Sequence, residues 1–381
     1  MIETRSNIET EYREFDKPRP YFAVHDPGIE GLQSLDKDFD NLVVIGNGGS
    51  VTSFRALNYA FRDQHDKNVE IITTMEPGYL RHVERSIKKE NTLVMPISKS
   101  GSTTGVIEST LYFLNRGYEV MPLTTDQDSA LNNIAKRRDL EVIEHPDIGG
   151  RFTGLSETAL APASLLGLDV EEIFRGGREM HKELKPGTPN KASKLAEELF
   201  EVEKQGYDEV LTPFYSTRLF GFYPLLVQLM HESVCKNGEG QTFFGDLGPE
   251  YQHHTNQRMF GGKQNIVPMF IESTHEHAEI EVPEDIHDIE LRSHQLGEFD
   301  GKTYEASLKA ESEGVKQALD EKGRPRIELK LEELSYRSTG RFMAFLQYLA
   351  VYSSWLRDVD PFNQPNVEKS KNIGFKMRFE E

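Results

Sequence analysis

The densest chemistry in the chain is the run Ser98, Lys99, Ser100, Gly101, Ser102, Thr103 and Thr104, which lies between an apolar stretch and an amphipathic one. Five hydroxyl residues, a glycine and a lysine meet where a helix is expected to begin. The first N–H groups of a helix have no internal partner and favour an anion. Hydroxyls add neutral donors that suit a phosphate monoester, and glycine lets backbone approach ligand closely. The order is not GxxxxGK[ST], so a nucleotide P-loop fits poorly. The ordinary alternative is helix capping by Ser or Thr. A second small-residue turn, Gly46–Ser50 (GNGGS), also follows an apolar stretch and could seat a ligand or simply turn the chain. Val51 stands where the dinucleotide fingerprint GxGxxG needs its last glycine, which argues against a Rossmann cofactor. The adjacent His253 and His254 invite a metal reading. The other close pair is His275 and His277, and no acidic partner stands at ligand spacing, so no metal is expected.

These turns need elements to hold them. Asn41–Gly46, Glu70–Thr74, Asn91–Ile97, Glu119–Thr124 and Leu140–Glu144 read as strands. Between them lie helical patterns over Val51–Arg62, Tyr79–Lys89, Thr103–Arg116 and Ser129–Arg137. Strands apolar throughout, alternating with helices, predict an α/β fold with a doubly wound parallel sheet covered on both faces. Ligands in such sheets bind beyond the carboxyl ends of the strands, where the turns after Ile45 and Ile97 lie. The second half repeats the theme, with strands at Glu209–Thr212, Ile266–Ile271 and Ile327–Leu331. After the loop Pro213–Ser216 a helix is expected to about Cys235, then others at Lys302–Leu319, Ser335–Leu356 and Pro365–Phe375. Glu276–Asp300 is acidic and irregular. The polar, Pro- and Gly-containing stretch Lys182–Lys194 predicts a boundary. Two domains follow, 1–185 with an N-terminal extension and 186–381 with C-terminal helices.

Composition narrows the partners. The 381 residues carry 44 basic and 63 acidic side chains, a net charge of −19. Nucleic acid is not expected as a partner of such a chain, because that affinity rests on phosphate neutralisation by Lys and Arg. Hydrophobic residues make up 37%, enough for a sizeable core. The single cysteine, Cys235, excludes a disulfide framework and a cysteine-based metal site. The charged start has no secretory core, and no apolar run approaches about 18 residues. The expected compartment is the cytoplasm, with no membrane contact.

Taken together, the two turns resemble those of a sugar isomerase (SIS) domain, and further motifs resemble the glucose-6-phosphate isomerase family. Gly149–Phe152 (GGRF) is similar to its GGR[FY] segment, and Glu232–Lys236 (ESVCK) to its ESxGK segment, with Cys235 in place of glycine. Gln364, Val367, Glu368 and Lys371 in QPNVEKSK resemble its QxxVExxK segment. His253 in YQHHTNQ follows Glu232 at about the family's interval. The motifs stand in the family's order and span about residues 40 to 375. The resemblance implies two SIS-type domains and the reversible conversion of glucose 6-phosphate to fructose 6-phosphate, as in glycolysis and gluconeogenesis, through an enediolate.

No metal or redox cofactor is implied. Ser98, Ser100 and Thr103 would hold the phosphate with Gly49 and Ser50 nearby, and Lys99 would add positive charge inside a strongly acidic protein. Glu232 would be the base that moves a proton between C2 and C1. His253, with His254 as its alternative, would assist ring opening with Lys371, coming from the neighbouring subunit of a homodimer. Arg151 would stabilise the enediolate, and Gln364 would bond the substrate near its phosphate end. Three departures matter, the first being a chain shorter than most members of the family. A cysteine at 235 is strained if that position needs φ > 0 and tolerable if it is helical. Gly105 and Val106 replace residues that are often acidic or polar.

Three rivals share this surface of evidence. A sugar-phosphate-binding regulator would have the phosphate turn without the base, arginine and terminal lysine. An aminosugar-phosphate synthase would need a nucleophilic cysteine near its N-terminus, and residues 1–40 have none. An isomerase that also accepts mannose 6-phosphate differs only in contacts to the 2-hydroxyl.

Overall fold

The structure, a computed structural model, describes residues 2–274, 280–283 and 285–380. The second histidine pair, His275 and His277, lies outside the described residues. Two mostly parallel sheets carry the fold. In the first, the strand order is Asn68–Ile72, Asn41–Ile45, Thr92–Ser98, Leu123–Thr124 and Ile143–Glu144, all parallel, with Glu119–Val120 also on Thr92–Ser98. The chain runs from Asn41–Ile45 out to one edge and returns on its other side as Thr92–Ser98. The crevice between these two strands is therefore the place where strand order reverses, and both small-residue turns open onto it.

The expected single strand Glu119–Thr124 is two pieces, Glu119–Val120 and Leu123–Thr124. Pro122 between them has no N–H to give to a ladder. Leu140–Glu144 shortens to Ile143–Glu144.

The second sheet orders Ile2–Ser6, Ile327–Leu331, Ile266–Ser273, Glu209–Phe214 and Thr242–Leu247. The last four are parallel, and Ile2–Ser6 is antiparallel to Ile327–Leu331. This corrects the placing of the N-terminal extension with the first half: residues 2–6 complete the second sheet. Ile2 is fully buried there while Glu3 and Arg5 face out, the alternation of an edge strand with one face on the core. The strand Thr242–Leu247 and the helices Glu157–Leu165, Val170–Glu183 and Lys191–Lys204 had no counterpart in the sequence reading. The polar stretch Lys182–Lys194 proves to be the end of one helix, a turn, and the capped start of the next, with Asn190 accepting from Ala192 N and Ser193 N.

The helix Tyr336–Leu356 joins the halves. Nearly every residue in it is buried, as expected of a helix hydrophobic on all sides. It packs on Val170–Glu183, Lys191–Lys204 and Tyr223–Val234. One continuous core therefore includes Leu42 and Met95 of the first sheet and Val210 and Leu329 of the second. Beyond it, the helix Glu368–Met377 lies on the surface with no buried residue.

Candidate active site

The fully buried strand Thr92–Ser98 delivers the hydroxyl-rich turn Ser98–Thr104. Ser98 is 2% exposed, and its Oγ lies 3.0 Å from Thr103 Oγ1. Thr103 is the N-cap of the helix Thr104–Leu114, yet its side chain makes no capping bond. The capping alternative thus fails at this position, and the first N–H groups of the helix keep their capacity for an anion. Gly101 has φ +59°, and a Cβ there would sit 2.1 Å from Ser129 Oγ. The next loop pins the turn from behind: Thr124 Oγ1 donates to Ser98 O at 2.8 Å, Thr125 Oγ1 to Lys99 O at 2.7 Å, and Gln127 Nε2 to Ser100 O at 3.1 Å.

Gly49 opens the helix Gly49–Ala60 and abuts Gly150. A Cβ on Gly49 would lie 2.0 Å from the carbonyl carbon of Gly150 and 2.5 Å from the Arg151 nitrogen. Gly49 is thus required bare by the GGRF backbone, whereas a Cβ on Gly150 would meet Gly49 Cα at an ordinary 3.4 Å. An open cleft of about 650 Å³ runs between these segments. Ser50, Lys99, Ser100, Thr103, Gln364 and Lys371 all line it. Lys99 Nζ is 2.7 Å from Asp147 Oδ1, and this pairing lowers the Asp147 pKa.

Arg151 is 2% exposed and engages all five of its N–H donors. Nε donates to Ser233 Oγ at 2.8 Å. Nη1 donates to Glu232 Oε2 at 3.1 Å and to Gln364 Oε1 at 2.9 Å. Nη2 donates to Pro361 O at 2.5 Å and Asn363 O at 3.0 Å. Burial lowers its pKa, and the Glu232 carboxylate opposes that. Arg151 thereby joins the first half, the helix Tyr223–Val234 that carries Glu232, and the C-terminal turn that carries Gln364.

Glu232 is fixed on its other oxygen as well. Gln228 Nε2, one helical turn earlier, donates to Oε1 at 3.0 Å, and Gln228 Oε1 accepts from Thr52 Oγ1 at 3.1 Å. An i, i+4 pair on one helix face holds the carboxylate, and the phosphate-side helix holds the pair. Cys235 caps this helix with φ −74°, so the replacement of glycine carries no backbone strain. Gly105 packs on Met75, whose sulfur would lie 2.4 Å from an added Cβ.

The structure therefore brings together Gly49, Ser50, Ser98, Lys99, Ser100, Thr103, Arg151, Glu232, Gln364 and Lys371. Lys371 Nζ is exposed and 2.8 Å from Glu368 Oε1. The histidines stand elsewhere. His253 ends the short 3-10 turn Glu250–His253, is exposed, and does not line the cleft. His254 is also exposed and faces Asp246 Oδ2 at 3.6 Å and Thr255 Oγ1 at 2.7 Å. Sequence reasoning missed Thr52 and Gln228 and assigned no role to Ser233 and Lys236, though both stand in the ESVCK segment. For Gln228 a signal existed, its spacing of four from Glu232.

One group of three carboxylates among the described residues could hold a cation: Glu272, Glu313 and Glu328. Lys316 Nζ already sits among them, at 2.8, 2.9 and 3.3 Å.

No family model matches the chain. It is 28% identical to a glucose-6-phosphate isomerase of Rubrobacter xylanophilus, over 88% of this chain and 82% of that protein. It is 29% identical to a glucose-6-phosphate isomerase of Thermus thermophilus, over 87% and 82%. Among solved structures, it shares the fold of a glucose-6-phosphate isomerase from Chlamydia trachomatis, with a TM-score of 0.76 and 24% identity over 91% of this chain and 71% of that one.

Proposed function

We propose that the protein is a glucose-6-phosphate isomerase, an aldose–ketose isomerase acting on a sugar phosphate. The observation that carries this is the reach of Arg151, which ties Glu232 to Gln364 on the wall of the cleft lined by Ser50, Ser100 and Thr103. Gln364 lines that cleft beside the Ser98–Thr104 turn, and Arg151 links it to the Glu232 carboxylate behind.

The phosphate is held by the hydroxyls of Ser98, Ser100 and Thr103 and by the free N–H groups of the helices starting at Gly49 and Thr104. Lys99 supplies charge against the acidic field of the whole protein. Glu232 takes the C2 proton of the open-chain aldose. The electron pair moves into the C1–C2 bond, and the C1 oxygen becomes the oxyanion of an enediolate. Glu232, now protonated, returns that proton to C1, while the proton on O2 passes to O1. Nothing is oxidised or reduced overall. Because every N–H of Arg151 is already engaged, Arg151 stabilises the oxyanion as a fixed positive charge in a dry setting. This is electrostatic preorganisation, with no new hydrogen bond needed. Gln364 is free to donate its amide N–H toward the sugar, since its oxygen is taken by Arg151.

Ring opening needs an acid–base group near neutrality, and imidazole suits it. His253 is exposed and outside the cleft of its own chain, which supports a homodimer in which each subunit supplies His253 to the other's Lys371. No helix among the described residues is long and apolar enough to cross a membrane. The cytoplasm, where sugar phosphates are handled, is the proposed place of action.

The test is a coupled assay of the purified protein with fructose 6-phosphate, reading glucose 6-phosphate through its dehydrogenase, with and without a chelator. Chelator-resistant turnover is expected. Absence of turnover, with saturable thermal protection by the sugar phosphate, would make the protein a binding module instead.

A further inference from the structure

The turn Asp360–Gln364 carries two of the acceptors that orient Arg151, the carbonyls of Pro361 and Asn363, and it ends in Gln364 itself. Its own internal bonds are local: Phe362 N donates to Asp360 Oδ1 at 2.9 Å, and Asn363 Nδ2 to Asp360 Oδ2 at 2.8 Å. The following helix buries nothing, and Arg378 at its end pairs with Glu108 at the surface. Phe362 packs on the Tyr21, Phe22 and Phe152 rings of the first half. The tie to the Glu232 helix itself comes from Lys236, four residues after Glu232. Lys236 is 8% exposed, and its Nζ donates to two carbonyls. One is Ser233 O at 2.9 Å, at the end of the helix that carries Glu232. The other is Asp360 O, 124 residues away in sequence.

We propose that Lys236 is a positioning residue, whose buried ammonium ties the Asp360–Gln364 turn to the end of the Glu232 helix and so keeps Arg151 and Gln364 aimed at the cleft. The proposal rests on the isomerase reading for its kinetic consequence but not for the tie itself.

A bond from lysine to a helix-terminal carbonyl alone would be an ordinary cap, available to an exposed side chain. Here the side chain is buried at a cost. Burial and the neighbouring Arg151 charge lower its pKa to about 8, against the opposing pull of Asp360, Glu232 and Cys235. A methionine would fill the same space with no charge to desolvate. What methionine cannot do is join Ser233 O to Asp360 O. Loss of that tie leaves Arg151 as the turn's remaining anchor to the Glu232 helix, among the bonds described above. The turn would then be held by Arg151 and by the packing of Phe362, with Arg151 also aimed by the turn it holds.

The experiment compares the full-length protein with Lys236→Met, the softer Lys236→Gln, and the charge-keeping Lys236→Arg. Two readouts are taken: steady-state kinetics with fructose 6-phosphate, and amide hydrogen exchange over residues 360–367 in the free protein. Methionine is expected to lower kcat by about 10²-fold, the effect of a misplacement near 1 Å, with KM within about threefold. Exchange at the Phe362 amide should rise about tenfold. Glutamine should fall between methionine and wild type. Arginine should restore most of kcat and the exchange protection. If the methionine variant does not fold, the glutamine variant carries the same comparison. Wild-type exchange in a folded methionine or glutamine variant overturns the tie, and wild-type kcat in either overturns the positioning role. If the unaltered protein has no isomerase turnover, the functional reading fails on its own, and hydrogen exchange alone decides the tie.

Discussion

Replacing Gly49 by alanine tests whether the GGRF backbone requires a bare glycine there. The added Cβ would meet the Gly150 carbonyl carbon at 2.0 Å, its oxygen at 2.3 Å and the Arg151 nitrogen at 2.5 Å, whereas ordinary contact begins at 3.4 Å. All three are backbone atoms, so no side-chain rotation relieves the clash. Either the Gly46–Ser50 turn or the Gly149–Arg151 turn must retreat by about 1.4 Å, the difference between those distances. The first carries Ser50 toward the phosphate, and the second carries Arg151. A displacement of about 1 Å costs on the order of 10²-fold in rate. Overpacking of this kind costs about 1–3 kcal/mol in stability. The Gly49→Ala protein is therefore expected to lose about 10²-fold or more in kcat/KM in the coupled assay, with a urea midpoint lowered in proportion. The control is Gly314→Ala. Gly314 is exposed in the middle of the helix Tyr304–Glu321, with nothing within 4 Å of its Cβ position. That change should raise stability by about 0.5–1 kcal/mol and leave turnover alone. A Gly49→Ala enzyme with unaltered kcat/KM would refute the argument that these backbones must touch for the site to form.

Four other outcomes are expected. Glu232→Gln should lower kcat by about 10²–10⁴-fold while keeping affinity for a substrate analogue, measured by calorimetry; a drop of only a few-fold would remove Glu232 as the base. Thr103→Val keeps the shape but removes a hydroxyl from the phosphate turn, so KM should rise about tenfold with kcat nearly unchanged, and an unaltered KM would place the phosphate elsewhere. Arg151→Lys offers three donors where five are used, leaving at least two acceptors unpaired; it should cost about 2–6 kcal/mol by urea unfolding, and a cost below about 1 kcal/mol would contradict the bonding described. For pH, burial lowers His181 from 6.5 to about 4 and Lys236 from 10.5 to about 8. In each case the unfolded chain holds its proton to a higher pH than the folded one. Stability should therefore rise with pH from about 4 to 6.5 and again from about 8 to 10.5, by at most about 1.4 kcal/mol per unit from each group. Urea midpoints against pH should lose the acid slope in His181→Gln and the alkaline slope in Lys236→Met; slopes that persist in the variants would assign them to other groups.

Much of the framework was legible in the chain alone. The strands Asn41–Ile45 and Ile327–Leu331 and the helices after the two small-residue turns fell where apolar runs and turn residues put them. Such signals are local, since a buried parallel strand must be apolar on both faces and a helix start must free its N–H groups. The hydroxyl-rich turn Ser98–Thr104 was legible for the same reason, because its strand, turn and helix start lie within one stretch of chain. The strand Thr242–Leu247 was not, because Gly245 and Asp246 interrupt its apolar pattern, and its place is decided by pairing with Glu209–Phe214. Nor could Ile2–Ser6 be assigned to the second sheet, since its partner Ile327–Leu331 lies more than 300 residues away.

The sequence by itself determined the fold class, the hydroxyl-rich turn at a helix start and, through the resemblance, the roster of residues to look for. Only the tertiary structure decided how that roster is joined. Arg151 meets Glu232 across 81 residues and Gln364 across 213, and Lys236 reaches Asp360 across 124. It also decided that His253 does not line the cleft of its own chain. The physical reason is that residue types and their periodicity state what a segment buries, whereas these bonds depend on how two sheets close over the shared helix Tyr336–Leu356, a relation that no local window of sequence contains.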